Sequence, residues 1–312
     1  MRTLAAVFVV SLCGCGPLEA TVDETGDVEA EAEAGLEAVP GLRGRPLDLD
    51  VAQWNVMWLG NTTFGPTDEA GQNARVATII RSANVDLWAL QEVSSQDAFD
   101  ALVRAVPGAS GLSATDPRVP DGLRFYSSQE QRPALLFKTR AVQVRSARLV
   151  LTADATTFAG RPPLEAQLTV TINRKQVELT VIVVHLKAGP GLDDRDRRER
   201  ASALLAAHVA SLTGHTLVLG DWNDSLGRSI AGPKVAPPFA NFTTTDGTWL
   251  TRKLEDAGFA SSVFGSFIDH ALATPSLVPR YQGSTVHDPR GVLPTYSRDT
   301  SDHFPVLHVF SM

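Results

Sequence analysis

Short apolar runs that carry a polar residue at one end recur along the whole of this chain. Each run places an Asn, Glu, His or Asp beside a strand-like stretch: Trp54-Asn55-Val56, Leu90-Gln91-Glu92-Val93, Val184-His185-Leu186-Lys187, Leu219-Gly220-Asp221-Trp222-Asn223-Asp224, and the pair Ile268-Asp269-His270 with Ser301-Asp302-His303-Phe304-Pro305. Buried strands that end in such groups are typical of a layered α/β protein with polar side chains at its sheet edges.

After Pro46 the hydrophobic pattern predicts a mixed α/β domain. Strand-like runs cover Leu47–Leu59, Val85–Leu90, Ala134–Phe137, Ala141–Leu151, Leu164–Ile172, Val177–Leu186, Thr216–Leu219, Ile268–Ala273 and Val306–Phe310, and helical spacing covers Asn73–Ser82, Ala98–Val106 and Asp193–Leu212. Asn173-Arg174-Lys175-Gln176 joins two of these runs as a hairpin. Hairpins mixed with helices favour two packed sheets with helices outside over one parallel sheet. Phe158–Pro163 and Arg228–Thr245 are predicted loops.

The N-terminus has the pattern of an export signal. Arg2 precedes an apolar run, Leu4 to Leu12, that is shorter than the roughly 20 residues needed to span a bilayer. Leu12-Cys13-Gly14-Cys15 resembles a bacterial lipobox, which predicts a signal peptide over residues 1–15 and lipidation of Cys15. The alternative is an ordinary signal peptide cut at small residues. Because Cys13 and Cys15 are the two cysteines of the chain, the exported domain has neither a disulfide nor thiol chemistry.

Residues 16–45 predict an acidic tether between the membrane and a catalytic domain of residues 46–312. The first 45 residues hold eight of the 35 acidic and three of the 28 basic residues, which leaves 27 acids and 25 bases beyond them. Self-repelling charge with few apolar groups favours an extended spacer. The overall charge of −7 therefore belongs mostly to the tether, and charge neither supports nor excludes a nucleic-acid substrate.

Each polar site residue has an ordinary structural explanation when it is taken alone. A Glu at a strand end, such as Glu92, is usually solvated, and a His on a buried run, such as His185, is usually a hydrogen-bonded core residue. Asp221 could open a calcium-binding loop, but Leu226 stands where that loop requires Gly. The motifs of serine hydrolases, phosphate-binding loops and zinc proteases are absent from the sequence.

Together and in this order, the segments resemble the endonuclease/exonuclease/phosphatase superfamily, whose members are metal-dependent hydrolases of phosphate esters. The resemblance covers roughly Leu47 to Phe310. It implies a four-layer α/β sandwich, with two packed mixed β-sheets flanked by helices and strand ends that converge on one cleft. It also implies Mg²⁺ or Mn²⁺ as cofactor, in-line attack by water, and a nucleic acid as the first candidate substrate.

The resemblance assigns the metal to Asn55, Glu92 and Asp302. Oxygen ligands suit Mg²⁺, which needs only one or two carboxylates because it keeps several waters. On the opposite side, the family's Gly-Asp-x-Asn motif implies that Asp221 positions or deprotonates the attacking water and that Asn223 binds a phosphate oxygen. Trp222, between them, is expected to pack in the core.

The same resemblance assigns acid–base roles to two histidines. His303 is the expected base, with Asp269 fixing its tautomer and raising its basicity. His185 is expected at the leaving side, where it either donates a proton or stabilises the transition state. In nucleases of the family an acidic residue often pairs with this second histidine, and the sequence offers Glu130 or Gln131 without deciding between them. The remaining histidines are expected to be structural.

Two other functions fit part of this pattern. A phosphatase or phosphodiesterase for lipid or sugar phosphates would use the same core residues, although the Trp-Cys-Asp-Arg-type signature of inositol-phosphate enzymes is missing around Asp269. A non-catalytic surface-binding lipoprotein would use the same fold, but the presence of all the core residues argues against it. We expect an exported, monomeric cell-envelope lipoprotein that meets the bacterial membrane through its anchor and acts on nucleic acid.

Overall fold

The computed structural model describes residues 47–127, 130–243 and 247–312. Its strands are β1 Asp48–Leu59, β2 Leu87–Val93, β3 Ala109–Ser113, β4 Arg132–Lys138, β5 Val142–Leu149, β6 Leu164–Ile172, β7 Lys175–His185, β8 His215–Asp221, β9 Thr248–Trp249, β10 Asp269–Ala273, β11 Tyr281–Val286 and β12 Val306–Ser311. Its α-helices are α1 Glu69–Ala83, α2 Gln96–Ala105, α3 Gly122–Phe125, α4 Leu192–Ser211, α5 Arg252–Asp256 and α6 Tyr296–Asp299. The predicted signal peptide and tether lie outside the described residues, and their boundaries stay predictions.

The strands form two six-stranded sheets, as the two-sheet prediction requires. One sheet has the order β11-β12-β1-β2-β4-β3 and the other the order β5-β6-β7-β8-β10-β9. Each is mixed: β1–β2 and β7–β8 are parallel pairs at the centre, and their neighbours are antiparallel. Among the helices in the described ranges, none has the length and apolar composition of a membrane span.

Three buried apolar clusters lie between the four layers of the fold, which are two sheets and two helical layers. The first lies between the sheets, where inward residues of β1 and β2, such as Val51 and Leu87, meet those of β7 and β8, such as Val181 and Leu217. The second packs α1 and α2 on the outside of the first sheet. The third packs α4 on the outside of the second sheet. The fold is therefore the predicted α/β sandwich, with a helical layer covering each sheet.

Gly220, the residue before Asp221, makes a close contact within its own sheet and a hydrogen bond to the other sheet. Gly220 has a φ of +141°, and a Cβ there would lie 2.1 Å from the Val184 carbonyl oxygen of the neighbouring strand. Its N–H donates across the sandwich to Gln53 Oε1 at 2.9 Å. A side chain at this position would separate β7 from β8, so the Gly before Asp221 is a packing requirement.

The predicted elements agree with the structure where the hydrophobic pattern extends over many consecutive residues. The β6–β7 hairpin, the long helix α4 and the strand β1 are confirmed within a residue or two at each end, and the loops at Phe158–Pro163 and 228–243 contain neither helix nor strand. The second strand runs to Val93 and not to Leu90, with irregular pairing before its end. The short strands β3, β9 and β11 were not predicted, because edge strands carry too few apolar residues to show a period.

Candidate active site

Parallel pairing at the centre of each sheet brings the predicted site residues to one end of the sandwich. β1 and β2 carry Asn55 and Glu92 near their C-terminal ends. β7 and β8 end with His185 opposite Asp221. β10 begins at this same end, because its first residue, Asp269, pairs with Asp221. Residues more than 200 positions apart thus share one cleft, and most of them are buried.

The side chain of Asn55 joins the two sheets at the floor of this cleft. Its Nδ2 donates to Glu92 Oε1 and to Asp221 Oδ2, each at 3.0 Å. Its Oδ1 accepts the N–H of Met57 at 3.0 Å, which fixes the direction of the amide. Asn55 therefore presents donors to the carboxylates and positions them. The assignment of Asn55 to the metal stays a prediction.

The segment around His303 is anchored to β1 by hydrogen bonds to its backbone. Trp54 Nε1 donates to the His303 carbonyl at 3.0 Å, and the hydroxyl of Tyr296 donates to the same oxygen. Ser301 Oγ donates to the Asn55 carbonyl at 2.6 Å. These contacts fix the position of the imidazole from its own main chain, so the side chain reaches the cleft on a rigid support.

The imidazole of His303 lies between two buried carboxylates. Its Nδ1 is 2.8 Å from Asp269 Oδ2, and its Nε2 is 3.8 Å from Asp221 Oδ2. Burial lowers the pKa of His303, but Asp269 and Asp221 outweigh it and raise that pKa well above its usual value. Burial, opposed by His303 and reinforced by Asp269, raises the pKa of Asp221 to about 7. Each group therefore shifts the pKa of the other through its charge across 3.8 Å.

The donor set of the cleft fits a hard divalent cation. Among the residues that the structure describes, Asp221, Asp269 and His303 each place a ligand atom within 4.8 Å of the others, and Asp269 Oδ1 is buried without a hydrogen-bond partner. Burial raises the pKa of Glu92, and the charge of Asp302 adds to the rise. A bound cation would offset this repulsion, and carboxylate oxygens are the ligands that Mg²⁺ and Mn²⁺ prefer.

Comparison with known proteins agrees with this site. The sequence model of the Endonuclease/Exonuclease/phosphatase family matches residues 52–303, which run from β1 to His303 and include Asn55, Glu92, His185, Asp221, Asp269 and Asp302. The chain belongs to this family. No curated protein sequence matches it. The family and the site together support a metal-dependent hydrolase of phosphate esters.

Solved structures of other proteins share the fold at low sequence identity. A D. rerio TDP2 complexed with single-strand DNA product is 12% identical with a TM-score of 0.61, covering 85% of this chain and 99% of that one. The human Nocturnin catalytic domain is 17% identical with a TM-score of 0.56, covering 86% and 96%. An AP endonuclease from Archaeoglobus fulgidus is 15% identical with a TM-score of 0.58, covering 85% and 100%. At these identities the likeness concerns the fold alone.

Beside the end of β7, Gln131 is hydrogen-bonded to a largely buried cation, Arg161. Gln131 is buried and its Oε1 accepts from Arg161 Nη1 at 2.6 Å, whereas Glu130 is exposed. Arg161 also donates to the carbonyls of Leu186 at 2.8 Å and His185 at 3.3 Å. The sequence analysis missed Arg161, because a single Arg in a Gly- and Pro-flanked loop carries no recognisable signal.

This cation changes the expected chemistry of His185. The Nε2 of His185 lies 3.5 Å from Asp221 Oδ2 and 3.7 Å from Glu92 Oε1, while its buried Nδ1 has no hydrogen-bond partner within the described parts of the chain. Burial lowers the pKa of His185 well below its usual value, and Arg161 reinforces the effect. The His185 imidazole is therefore neutral near pH 7, and its role at the phosphate stays a prediction.

Asn223 and Asp224 are positioned by a buried ion pair that the sequence did not reveal. Asn223 has a left-handed φ of +55°, and its Nδ2 donates to the Leu186 carbonyl at 3.2 Å. Asp224 and Arg198 of α4 form a salt bridge of 2.8 Å with both side chains fully buried. Because these two residues are 26 positions apart, no local pattern connects them. The backbone geometry of Asn223 is of the kind that a surrounding structure imposes at functional sites.

The side chains between and around these motifs behave structurally, as expected. Trp222 is fully buried, with its ring edge-on to Phe242 and Trp249. His270 is also buried and hydrogen-bonds to Thr251 Oγ1 and to the Asp224 carbonyl, and burial lowers its pKa to about 3. These residues hold the Asp221–Asp224 segment from below and do not enter the cleft.

Proposed function

We propose that this protein is an exported, Mg²⁺- or Mn²⁺-dependent phosphodiesterase that hydrolyses nucleic acid. The observation that carries the proposal is the buried chain from Asp269 through His303 to Asp221, beside the acidic pair Glu92 and Asp302. Hydrolysis of a phosphodiester needs charge neutralisation, an activated water and support for the leaving oxygen, and the cleft has a group for each.

The roles of the side chains follow from their charges. Glu92 and Asp302 would hold the cation, which when bound supplies neutralisation of the phosphate and of the leaving oxygen. Asp269 fixes the Nδ1 of His303, so that Nε2 faces Asp221. The pKa of Asp221, raised to about 7, suits this carboxylate to take a proton from water. Asn223, whose amide lies beside the C-terminal end of β7, would bind a phosphate oxygen.

Nucleic acid is favoured over lipid phosphates by the structural neighbours. The D. rerio TDP2 structure contains a single-strand DNA product, and the Archaeoglobus fulgidus protein is an AP endonuclease. These two neighbours are 12% and 15% identical to this chain and support nucleic acid as the substrate class.

The decisive experiment offers four substrates to the purified chain in parallel: plasmid DNA, RNA, phosphoinositide and sphingomyelin. With Mg²⁺ or Mn²⁺ we expect hydrolysis of nucleic acid, and we expect none in EDTA. His303→Ala, purified identically, is the control for contaminating nucleases. Hydrolysis of the lipid phosphates alone would replace this proposal with a lipid phosphodiesterase, and full activity in chelator would refute the metal-dependent mechanism.

We also propose that the mature protein is a membrane-anchored monomer of the cell envelope, lipidated at Cys15. This proposal rests on the Leu12-Cys13-Gly14-Cys15 pattern. Two or more acyl chains hold a protein stably on a membrane, because each buried methylene contributes about 0.8 kcal/mol. Cys15→Ser should therefore move the protein from the membrane fraction to the soluble one. Retention of that variant on membranes after a salt wash would contradict the lipid anchor.

A further inference from the structure

An aromatic pair lies beside the cleft, formed by Trp58 near the end of β1 and Phe64 in the segment that follows it. The rings of Trp58 and Phe64 contact each other with centroids 4.8 Å apart and planes tilted by 36°. Phe64 is 55% exposed, and Trp58 is half-buried. The backbone N–H of Trp58 donates to Glu92 Oε2 at 3.0 Å. The backbone of Trp58 is thus hydrogen-bonded to a carboxylate that we assign to the metal.

The segment that carries this pair is held in place by its own contacts. Asn61 Oδ1 accepts the N–H of Phe64 at 2.9 Å, and the buried Gln72 donates through Nε2 to the Met57 carbonyl at 2.9 Å. Gly65, at a φ of +81°, approaches so closely that a Cβ would lie 2.8 Å from that same carbonyl oxygen. The exposed ring therefore belongs to an ordered ridge that is packed against β1.

The backbone of this ridge is strained. Met57 and Trp58 have φ values of +49° and +56°, in the left-handed region that large side chains rarely adopt. Such conformations are unfavourable, and they persist only where the surrounding structure imposes them. A strained backbone at the end of β1, followed by the exposed ring of Phe64 beside the candidate site, is the arrangement expected of a ligand contact.

We propose that Trp58 and Phe64 form a stacking platform for a nucleobase next to the scissile phosphate, and that the substrate is single-stranded or unpaired there. The proposal rests on the nuclease function proposed above. Every base has a π-face, and stacking on an aromatic side chain contributes about 1–3 kcal/mol per base. A base inside a duplex is already stacked on its neighbours, so only an unstacked base can lie on Phe64.

The platform is tested by removing the ring and the base separately. Phe64→Ala and Phe64→Leu are compared with Leu47→Ala, which removes another exposed side chain, 63% accessible, at the far end of β1. A strand rises about 3.3 Å per residue, which puts Leu47 about 35 Å from Trp58. The substrates are a single-stranded oligonucleotide, the same strand with reduced abasic sites, and the duplex.

We expect Phe64→Ala to raise KM for the single strand by roughly 5- to 150-fold, which is the equilibrium equivalent of 1–3 kcal/mol. The kcat should change little, since the ring does not touch the reacting atoms. Phe64→Leu should lose most of the same effect, because stacking needs the ring and not only an apolar surface. On the abasic strand the variants and the wild type should be alike, since the partner of the ring is already missing.

Binding of a labelled single strand, measured by anisotropy in chelator, gives the same comparison without catalysis. The proposal is overturned if Phe64→Ala and Leu47→Ala have equal KM and equal affinity, or if Phe64→Leu binds as wild type does. It is also overturned if the loss is seen only on phosphoinositide vesicles, which would make the pair a membrane contact. Failure of the proposed nuclease function is distinguishable, since then the wild type itself cleaves none of the three nucleic acids.

Discussion

The buried ion pair beneath the Asp221–Asp224 segment makes the strongest stability prediction. Asp224 Oδ2 accepts from Arg198 Nε at 3.1 Å and Nη2 at 2.8 Å, and Oδ1 accepts the N–H of Ser225 at 2.9 Å and of Ile230 at 2.8 Å. Arg198 also donates to two main-chain carbonyls that follow His185. One carboxylate therefore ties α4, the end of β7 and the loop after β8 together.

Asp224→Asn keeps the size of this side chain and removes its charge. The remaining amide oxygen can still accept from the two backbone N–H groups, but the new NH₂ would face the N–H groups of Arg198. The guanidinium would stay fully buried without a countercharge. Loss of one partner of a buried pair costs about 3–5 kcal/mol. In a domain of this size each kcal/mol lowers Tm by about 2–4 °C, so we expect a fall of roughly 6–20 °C.

The assay is calorimetric and urea-induced unfolding of the wild type, Asp224→Asn and a matched surface variant, Asp288→Asn. Asp288 pairs with Arg290 at 2.6 Å, but both side chains are more than 40% exposed. Exposed ion pairs contribute about 0–1 kcal/mol, so the control should lose less than a third of what the buried variant loses. If Asp224→Asn unfolds within 1 kcal/mol of the control, the pair does not stabilise this segment and the reasoning is wrong.

Three further predictions concern the cleft and the core. His303→Ala should lower kcat by roughly 10²–10⁴, and Asp269→Asn should lower it by less. The double variant should lose little more than His303→Ala, because the two residues act as a unit. Additive losses in steady-state assays would contradict this. Arg161→Ala should lose activity that guanidinium added to the assay partly restores, and absence of rescue at unchanged Tm would exclude its positioning role. Burial lowers the pKa of His308 to about 3, against 6.5 in the unfolded chain, so unfolding takes up a proton below pH 6.5 and stability falls with the pH. At pH 5 the free energy of unfolding should be lower by about 2 kcal/mol through this group. Between pH 7 and pH 5, denaturation curves of His308→Gln should therefore show a smaller fall in that free energy than those of the wild type.

The sequence alone determined the elements whose signal is local. The strand β6 alternates apolar and polar residues over its nine positions, β7 ends in a continuous apolar run, and the second half of α4 buries Ala201, Leu205 and Val209 at helical spacing, so these elements can be identified without knowledge of the rest of the chain. The polar residues at the strand ends could be named only because the segments, taken together and in order, resemble one family, since each residue taken alone has an ordinary structural explanation. Short edge strands such as β9, with two residues, give no such period.

Only the tertiary structure decided how these residues act on one another. Arg161 is 30 positions from Gln131, and Arg198 is 26 from Asp224, so neither pair leaves a pattern in the sequence. The donor orientation of Asn55 depends on the Met57 N–H and on Asp221 in the other sheet. Burial and the charge of neighbours set the pKa values of buried groups, and both are properties of the assembled fold. Residue types show which chemistry is available, whereas distance and desolvation assign each group its role.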